Sequence, residues 1–367
     1  MDKKISQGQL MSLGCCYLSG TIVVSVFVSS VAKNESWLIG IAGAICFLPA
    51  MLVYFALVKK YPGKGLFQIN EAVFGKAFGR VLSGVYLVFL YTLCALNILE
   101  ASNFLFYFII PETPLPVIAA VLMLACIYCV KKGFIAIARV SAIFCCVAVA
   151  GLLFSTLLSL NDARFEYLFP IFNLRPLDYL QSIHGATAIP YGESLILLLL
   201  IPELNGHADI RKVYGGVTVF TACIMTIVHF REVISLGPIL PYTTMPSFEA
   251  VRIINIANIF SRIESVFALL LIALTFFKSL ILFYLCLHCT AELLGLKSHK
   301  HLILMMAVLM TIYALKAYGS PSNNIFWGKN VSPFIWSAFT FLLPLLTLAA
   351  SGIKGLAQRR RGKGAPA

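Results

Sequence analysis

The chain is built from long apolar stretches separated by connectors that are mostly short. A helix needs about 20 consecutive apolar residues to cross the hydrocarbon core of a bilayer. Because lipid offers no hydrogen-bond partners, the backbone of a spanning segment must be helical or belong to a closed barrel. We therefore predict an all-α integral membrane protein with ten transmembrane helices. The predicted spans are residues 9–32, 37–58, 81–110, 115–130, 140–160, 185–202, 214–230, 266–288, 302–317 and 334–352.

The charged residues fit a membrane location and predict the orientation of the chain. Only 12% of the 367 residues are charged, about half the fraction found in soluble domains. The net charge of +13 comes from basic residues in the connectors, so we expect the lipid bilayer, not nucleic acid, as the partner. Of the Lys and Arg residues, 19 lie on the side of both termini and 7 on the other side. The positive-inside rule then predicts a multi-pass protein with both termini cytoplasmic, including a basic tail at residues 353–367.

The ten predicted spans divide into two halves of five. An odd number of spans per half requires the second half to be inverted relative to the first. The first helix of each half carries a polar interruption that contains glycine, and in the first half this is Ser19, Gly20 and Thr21. Interrupted helices at matching positions of inverted halves indicate a ligand site near the bilayer midplane. Close helix packing is the alternative for these three small residues. The predicted repeats are residues 9–160 and 185–352, within one transmembrane domain of residues 1–367.

The interruption in the sixth span comprises Pro190, Tyr191, Gly192 and Glu193. Proline removes a backbone donor and clashes with the preceding turn, which predicts a kink or a break. A carboxyl group at this depth costs about 2.5–3.5 kcal/mol on insertion scales, so Glu193 should face a partner, water or a ligand. We predict that these residues contribute to a binding site. The alternative is a proline kink with a partnered glutamate that only packs helices.

Lys278 lies at the middle of the eighth span, too deep to reach the interface. At about 4 Å from Glu193 the attraction would be on the order of 4 kcal/mol at an effective dielectric constant of about 20, which offsets the insertion cost of one charge. We predict that the two side chains pair, directly or through water or a ligand. A structural ion pair, a fixed cation in place of sodium, and a proton carrier are the alternatives for Lys278.

Backbone N–H and C=O groups without helical partners at the interruptions can bind a small molecule that carries one positive and one negative charge. Amides at a half-helix N-terminus favour a carboxylate and the opposite end favours an ammonium group, which a free amino acid combines. Asn97 and Glu100 in the third span are candidates for a vestibule, although Glu100 also lies where it can reach the interface. The sequence contains no nucleotide-binding glycine loop, catalytic triad or zinc motif. We therefore predict no enzymatic activity, no cofactor and no metal site.

Several short motifs resemble the B subunits of spore germinant receptors, the GerAB-type endospore germination permeases. The segment KGFIAIAR is similar to the family's G-I-E-x-I-A-R segment, and YGE followed by a leucine run and PE is similar to its sixth helix. TPL resembles a turn of the family, and the MPS to SRIE stretch resembles the segment before its eighth helix. These motifs occupy residues 132–139, 191–203, 113–115 and 245–264.

The resemblance implies a LeuT-like fold of the APC superfamily with ten helices. It also implies a germinant-sensing subunit of the spore inner membrane that binds an amino acid or related germinant, with an A subunit and a C-subunit lipoprotein as partners. An amino-acid transporter of the same fold is the alternative. By position, the implied pocket residues are Gly20, Leu93, Asn97, Pro190, Tyr191, Gly192, Glu193 and Lys278. The chain departs from the family at Ile135, where glutamate is frequent, and at Leu99-Glu100, where an arginine-glutamate pair is common.

Overall fold

The computed structural model describes residues 4–23, 25–206, 209–253, 263–317 and 320–362. Within these ranges the chain is mostly helical and forms no β-strand. The α-helices are α1 (Gln7–Ile22), α2 (Val26–Ala32), α3 (Ser36–Lys60), α4 (Leu66–Phe74), α5 (Lys76–Phe104), α6 (Leu115–Lys131), α7 (Phe134–Ser159), α8 (Pro176–Ala186), α9 (Ile196–Leu199), α10 (Ile210–Leu236), α11 (Pro246–Arg252), α12 (Ile263–Leu294), α13 (Ile303–Lys316), α14 (Pro321–Asn330), α15 (Ser332–Ser337) and α16 (Leu343–Gly362).

Within the described ranges, six helical stretches are long and apolar enough to cross a membrane, and α6 is a shorter apolar helix. An all-α protein with several membrane-spanning helices is therefore confirmed. The predicted first and sixth spans are interrupted, so neither forms one continuous apolar helix of that length. The six stretches are Val26–Lys60, Lys76–Ile109, Phe134–Asp162, Ile210–Tyr242, Glu264–Leu294 and Ser332–Leu356.

Several helices extend beyond the predicted span limits. The helix α10 continues six residues past its predicted end at residue 230, and α8 lies largely in the stretch predicted as a loop at 161–184. The helix α16 continues to Gly362, so much of the predicted basic tail is helical. Hydropathy marks where apolar residues stop. A helix continues wherever polar side chains find water or a buried partner.

The first interruption lies later than predicted. Ser19, Gly20 and Thr21 belong to the last turns of α1, and the helix gives way between Ile22 and Val26. The Ser19 hydroxyl donates to the Cys15 carbonyl at 2.8 Å, which is compatible with continued helix. At the interruption Ser25 has φ −80° and ψ 68°, and its hydroxyl donates to the Thr21 carbonyl at 2.5 Å. The Ser25 side chain therefore bonds to a carbonyl at the C-terminal end of α1.

The predicted break in the sixth span is a change of helical pitch. After α8 the backbone forms a π-helical turn at Thr187–Tyr191 and a 3₁₀ turn at Gly192–Leu195 before α9. Pro190 lies inside the π-helical turn, where its missing N–H and bulky ring disfavour regular α-helical bonding. The widened turn and the tightened turn together reposition Glu193 without unwinding the chain.

The interrupted segments lie at the centre of the bundle. The helix α1 packs against α7, α10 and α12, and α12 packs against α5. Nearly every side chain from Leu13 to Ile22 is buried, as are those from Ala188 to Ile201. Large apolar side chains on outer helices face outward, among them Leu52 of α3 and Ile143 of α7, which are 63% and 70% exposed. The outer helices therefore offer surface to lipid while the central segments are shielded from it.

Candidate functional site

A buried ion pair joins the pitch change of the sixth span to α12. Lys278 Nζ lies 3.1 Å from Glu193 Oε2, and the two side chains are 5% and 2% exposed. The Thr21 hydroxyl donates to the same carboxylate oxygen at 2.8 Å. The predicted contact between Lys278 and Glu193 is thus present and direct. Three elements converge on one carboxylate, namely the end of α1, the 3₁₀ turn after Tyr191, and α12.

Glycine allows α1 to approach α12 closely at this pair. A Cβ atom added to Gly20 would lie 2.8 Å from the Leu274 carbonyl oxygen and 3.1 Å from Lys278 Cβ. The Tyr17 ring, one turn earlier on α1, lies 5.5 Å from Lys278 Nζ, a cation–π distance. Gly20 therefore acts by permitting close packing, and the lysine stem passes along α1 to reach Glu193.

Asn97 of α5 is held in one orientation by α12. Its Nδ2 donates to the Thr275 carbonyl at 2.8 Å and to Ser279 Oγ at 2.5 Å. Since the Thr275 carbonyl can only accept, the amide nitrogen must lie on that side. Asn97 Oδ1 is buried and has no partner among the described residues. An acceptor is therefore left beside the ion pair.

These groups line an inner cavity of about 70 Å³. Five of the predicted site residues take part in its lining: Thr21, Leu93, Asn97, Glu193 and Lys278. The space suffices for a few water molecules or for the head group of a ligand. The remaining lining residues are Ser25, Phe27, Leu96, Glu100, Ile189, Asn324, Gly328, Ser332 and Trp336.

The other predicted site residues lie outside this lining and contact neighbouring helices. The Tyr191 hydroxyl donates to the Gly40 carbonyl of α3 at 2.6 Å. A Cβ atom on Gly192 would lie 2.8 Å from Thr340 Oγ1, so this glycine permits close packing against the π-helical turn between α15 and α16. The residues outside the lining are Ser19, Gly20, Pro190, Tyr191 and Gly192.

A larger outer cavity of about 350 Å³ adjoins the inner one. Both cavities are lined by Phe27, Glu100, Asn324 and Gly328, which therefore mark the junction between them. Sequence reasoning missed Asn324 because α14 lies in a stretch of low hydropathy that was predicted as a connector. The remaining outer lining residues are Val26, Asn103, Tyr107, Phe108, Thr244, Met245 and Ile325.

A second group of buried polar side chains connects α2, α10 and α11. Glu232 accepts hydrogen bonds from Ser29 at 3.0 Å and from Ser247, and its Oε2 lies 2.8 Å from His229 Nδ1. All four side chains are at most 2% exposed. We call Ser29, His229, Glu232 and Ser247 the outer network; sequence analysis did not predict it, because Glu232 falls in the predicted connector that begins at residue 231.

Comparison with known sequences gives a consistent set of relatives. A family model described as spore germination protein matches residues 4–319. The chain is 22% identical over 356 residues to spore germination protein KB of Bacillus subtilis, covering 94% of both chains. It is 25% identical over 359 residues to spore germination protein YndE of the same organism, covering 94% of this chain and 95% of the other.

Comparison with solved structures identifies a transporter-type fold. The nucleobase-cation-symport-1 family transporter Mhp1 superposes with a TM-score of 0.63 at 13% identity, covering 95% of this chain and 79% of the transporter. A manganese transporter from Eremococcus coleocola gives a TM-score of 0.57 at 12% identity, covering 96% of this chain and 85% of that one. At such identities the likeness describes the fold alone.

Proposed function

The chain belongs to the spore germination protein family, and from that premise we propose that it senses a small amino-acid-like germinant within the membrane. Binding between α1, α5, the pitch change and α12 would shift the protein between two conformations. A ligand does this only through different affinities for the two states. Partner subunits would read the shift, namely a germinant-receptor A subunit and a C-subunit lipoprotein in the spore inner membrane. The role is non-enzymatic and needs no cofactor.

One observation carries this proposal, namely the Glu193–Lys278 pair facing a cavity at the centre of the bundle. Ionisable groups within a membrane span cost free energy to insert, and they are usually functional. A pair that served only to hold helices together would need no adjoining space. Here the pair shares its cavity lining with Asn97, whose Oδ1 has no described partner, and the inner cavity shares four lining residues with the outer one.

The proposed architecture is a LeuT-like arrangement of ten spans in two inverted halves, with both termini cytoplasmic. Eight of these spans are supplied by single helices or stretches, namely α3, α5, α6, α7, α10, α12, α13 and the stretch from α15 to α16. The interrupted pair of α1 and α2 supplies the first span, and the segment from α8 to α9 supplies the sixth. The transporter-type fold of the solved structures supports this assignment.

Ligand binding by the purified full-length chain tests the proposal. Thermal-shift screening against the common amino acids should identify at least one that raises the melting temperature. The variants Glu193→Gln and Lys278→Met should lose that shift, whereas Glu112→Gln in the exposed turn after α5 should retain it. If both pair variants express and the spores that carry them respond normally to germinant, the site assignment is wrong.

An amino-acid permease of the same fold is the second candidate, favoured by the likeness to two transporters over nearly the whole chain. Proteoliposomes that contain only this chain separate the two functions. Uphill accumulation of a labelled amino acid that the protein also binds supports transport. Binding without accumulation, in vesicles that hold an imposed ion gradient, supports sensing.

A further inference from the structure

The outer cavity has the size of a ligand pocket, and the inner one does not. Small-molecule sites usually enclose about 300–1,000 Å³, and the outer cavity encloses about 350 Å³. The inner cavity of about 70 Å³ leaves room for a head group only. A ligand that uses both must pass the junction formed by Phe27, Glu100, Asn324 and Gly328.

The outer cavity is mostly apolar, with Asn103 and Thr244 as polar lining residues away from the junction. Its walls include aromatic and aliphatic side chains such as Phe108, Met245 and Ile325. Among the described residues that line it, Glu100 carries the only carboxyl group, and there is no Lys, Arg or His side chain. A carboxylate facing an apolar space has lost much of its hydration. A bound cation offsets that loss.

The junction and the adjacent inner cavity offer hydrogen-bond acceptors to the ligand. Asn97 and Glu100 are three residues apart on α5, so they lie on the same face of that helix. Asn97 donates its amide hydrogens to α12 and leaves Oδ1 without a described partner. An ammonium group has three donors and no acceptor. Its chemistry therefore matches a carboxylate and an amide oxygen side by side.

The positive charge of Lys278 is already engaged. Its Nζ lies 3.1 Å from Glu193, whose carboxylate also accepts a hydrogen bond from Thr21. With that pair internally compensated, the acidic group left for a ligand at the junction is the Glu100 carboxyl, and a bound cation favours its ionised form. The carboxylate of a zwitterion would meet this charge without a free cation to balance it.

We propose that the two joined cavities bind an organic ammonium ion with an apolar side chain and no free carboxylate. The ammonium group lies at Asn97 Oδ1 and the Glu100 carboxylate, next to the Phe27 ring, which offers a cation–π contact. The apolar part fills the outer cavity. This inference rests on the proposed sensing function and specifies the class of ligand for the same site.

Three probes that share one apolar side chain test the inference on the full-length protein. They are L-leucinamide, a cation, L-leucine, a zwitterion, and 4-methylpentanoate, an anion. Isothermal titration should give an affinity for leucinamide at least about tenfold above that for leucine, because only leucinamide leaves no carboxylate near Glu100. It should detect no binding of 4-methylpentanoate.

The variant Glu100→Gln should weaken leucinamide binding by about tenfold or more and remove its advantage over leucine. Glu112→Gln, a carboxylate change outside both cavities, should leave the ranking intact. Leucine binding as tightly as leucinamide overturns the inference while the sensing proposal stands. If neither these probes nor any common amino acid binds the wild-type protein, both proposals fail.

Discussion

The molecule buries charge in two places, and the two surroundings differ. The inner pair of Glu193 and Lys278 lines the inner cavity, which adjoins the outer one at four shared residues. The outer network around Glu232 lines neither of these cavities, and both of its carboxylate oxygens accept hydrogen bonds. A buried carboxylate whose two oxygens both accept hydrogen bonds holds neighbouring elements together. A buried ion pair that lines a cavity can also influence a ligand bound there.

Arg231 shows how closely the outer network is packed. The guanidinium donates to Ser155 Oγ of α7 at 2.6 Å and to the Ser247 carbonyl of α11 at 3.2 Å. It also lies 4.8 Å from the ring of Phe267 in α12. With Ser29 of α2 bound to Glu232, the network links five helices. Its expected contribution is therefore to stability, and that of the inner pair is to binding.

The largest expected effect is on stability, from Glu232→Ala. Removing one partner of a buried charged network leaves the others unpaired, at a cost of about 3–5 kcal/mol. Denaturant or SDS unfolding of the purified protein measures the loss. Glu112→Ala, at an exposed turn, should change the unfolding free energy by less than about 0.5 kcal/mol. If Glu232→Ala were as stable as the wild type, the outer network would not contribute to stability as we expect.

The inner pair should show a smaller stability effect and a strong coupling. Because the cavity admits water to a lone charge, we expect Glu193→Gln and Lys278→Met to destabilise less than Glu232→Ala. The double variant should recover part of the loss, with a coupling energy of about 1–3 kcal/mol. A double-mutant cycle on unfolding free energies measures it. A coupling near zero would mean that the two side chains do not interact in the folded protein.

Gly20→Ala tests whether the inner pair depends on the close approach of α1 to α12. The added methyl group would meet the Leu274 carbonyl and Lys278 Cβ, so α1 and α12 must separate, at a cost of about 1–3 kcal/mol. Gly8→Ala in the same helix is the matched control, because a Cβ there has no neighbour within 4 Å. The control should be neutral or stabilising by up to about 1 kcal/mol, since alanine favours helix. Equal stability of the two variants would contradict close packing at Gly20.

Hydropathy and the positions of isolated charges in the spans allowed two predictions that agree with the structure. The apolar stretches indicated membrane helices, and the depth of Glu193 and Lys278 indicated a pair, which the structure contains at 3.1 Å. Asn324 gave no such signal because it lies in a predicted connector, where polar residues are ordinary, and Trp336 gave none because aromatic residues are common near span ends. The sequence analysis predicts Arg231 and Glu232 to lie in a connector, because charged residues usually mark the end of a membrane span.

The sequence by itself determined that the chain enters a membrane as helices and that a few charges must find partners there, because lipid solvates neither a bare peptide bond nor an isolated ion. Only the tertiary structure decided which charges meet, that the first interruption falls at Ser25, and that the Glu193–Lys278 pair lines a cavity. Those outcomes depend on close packing between helices that are distant in sequence. At Gly20, for example, α1 and α12 leave no room for an added methyl group. No local pattern encodes that distance.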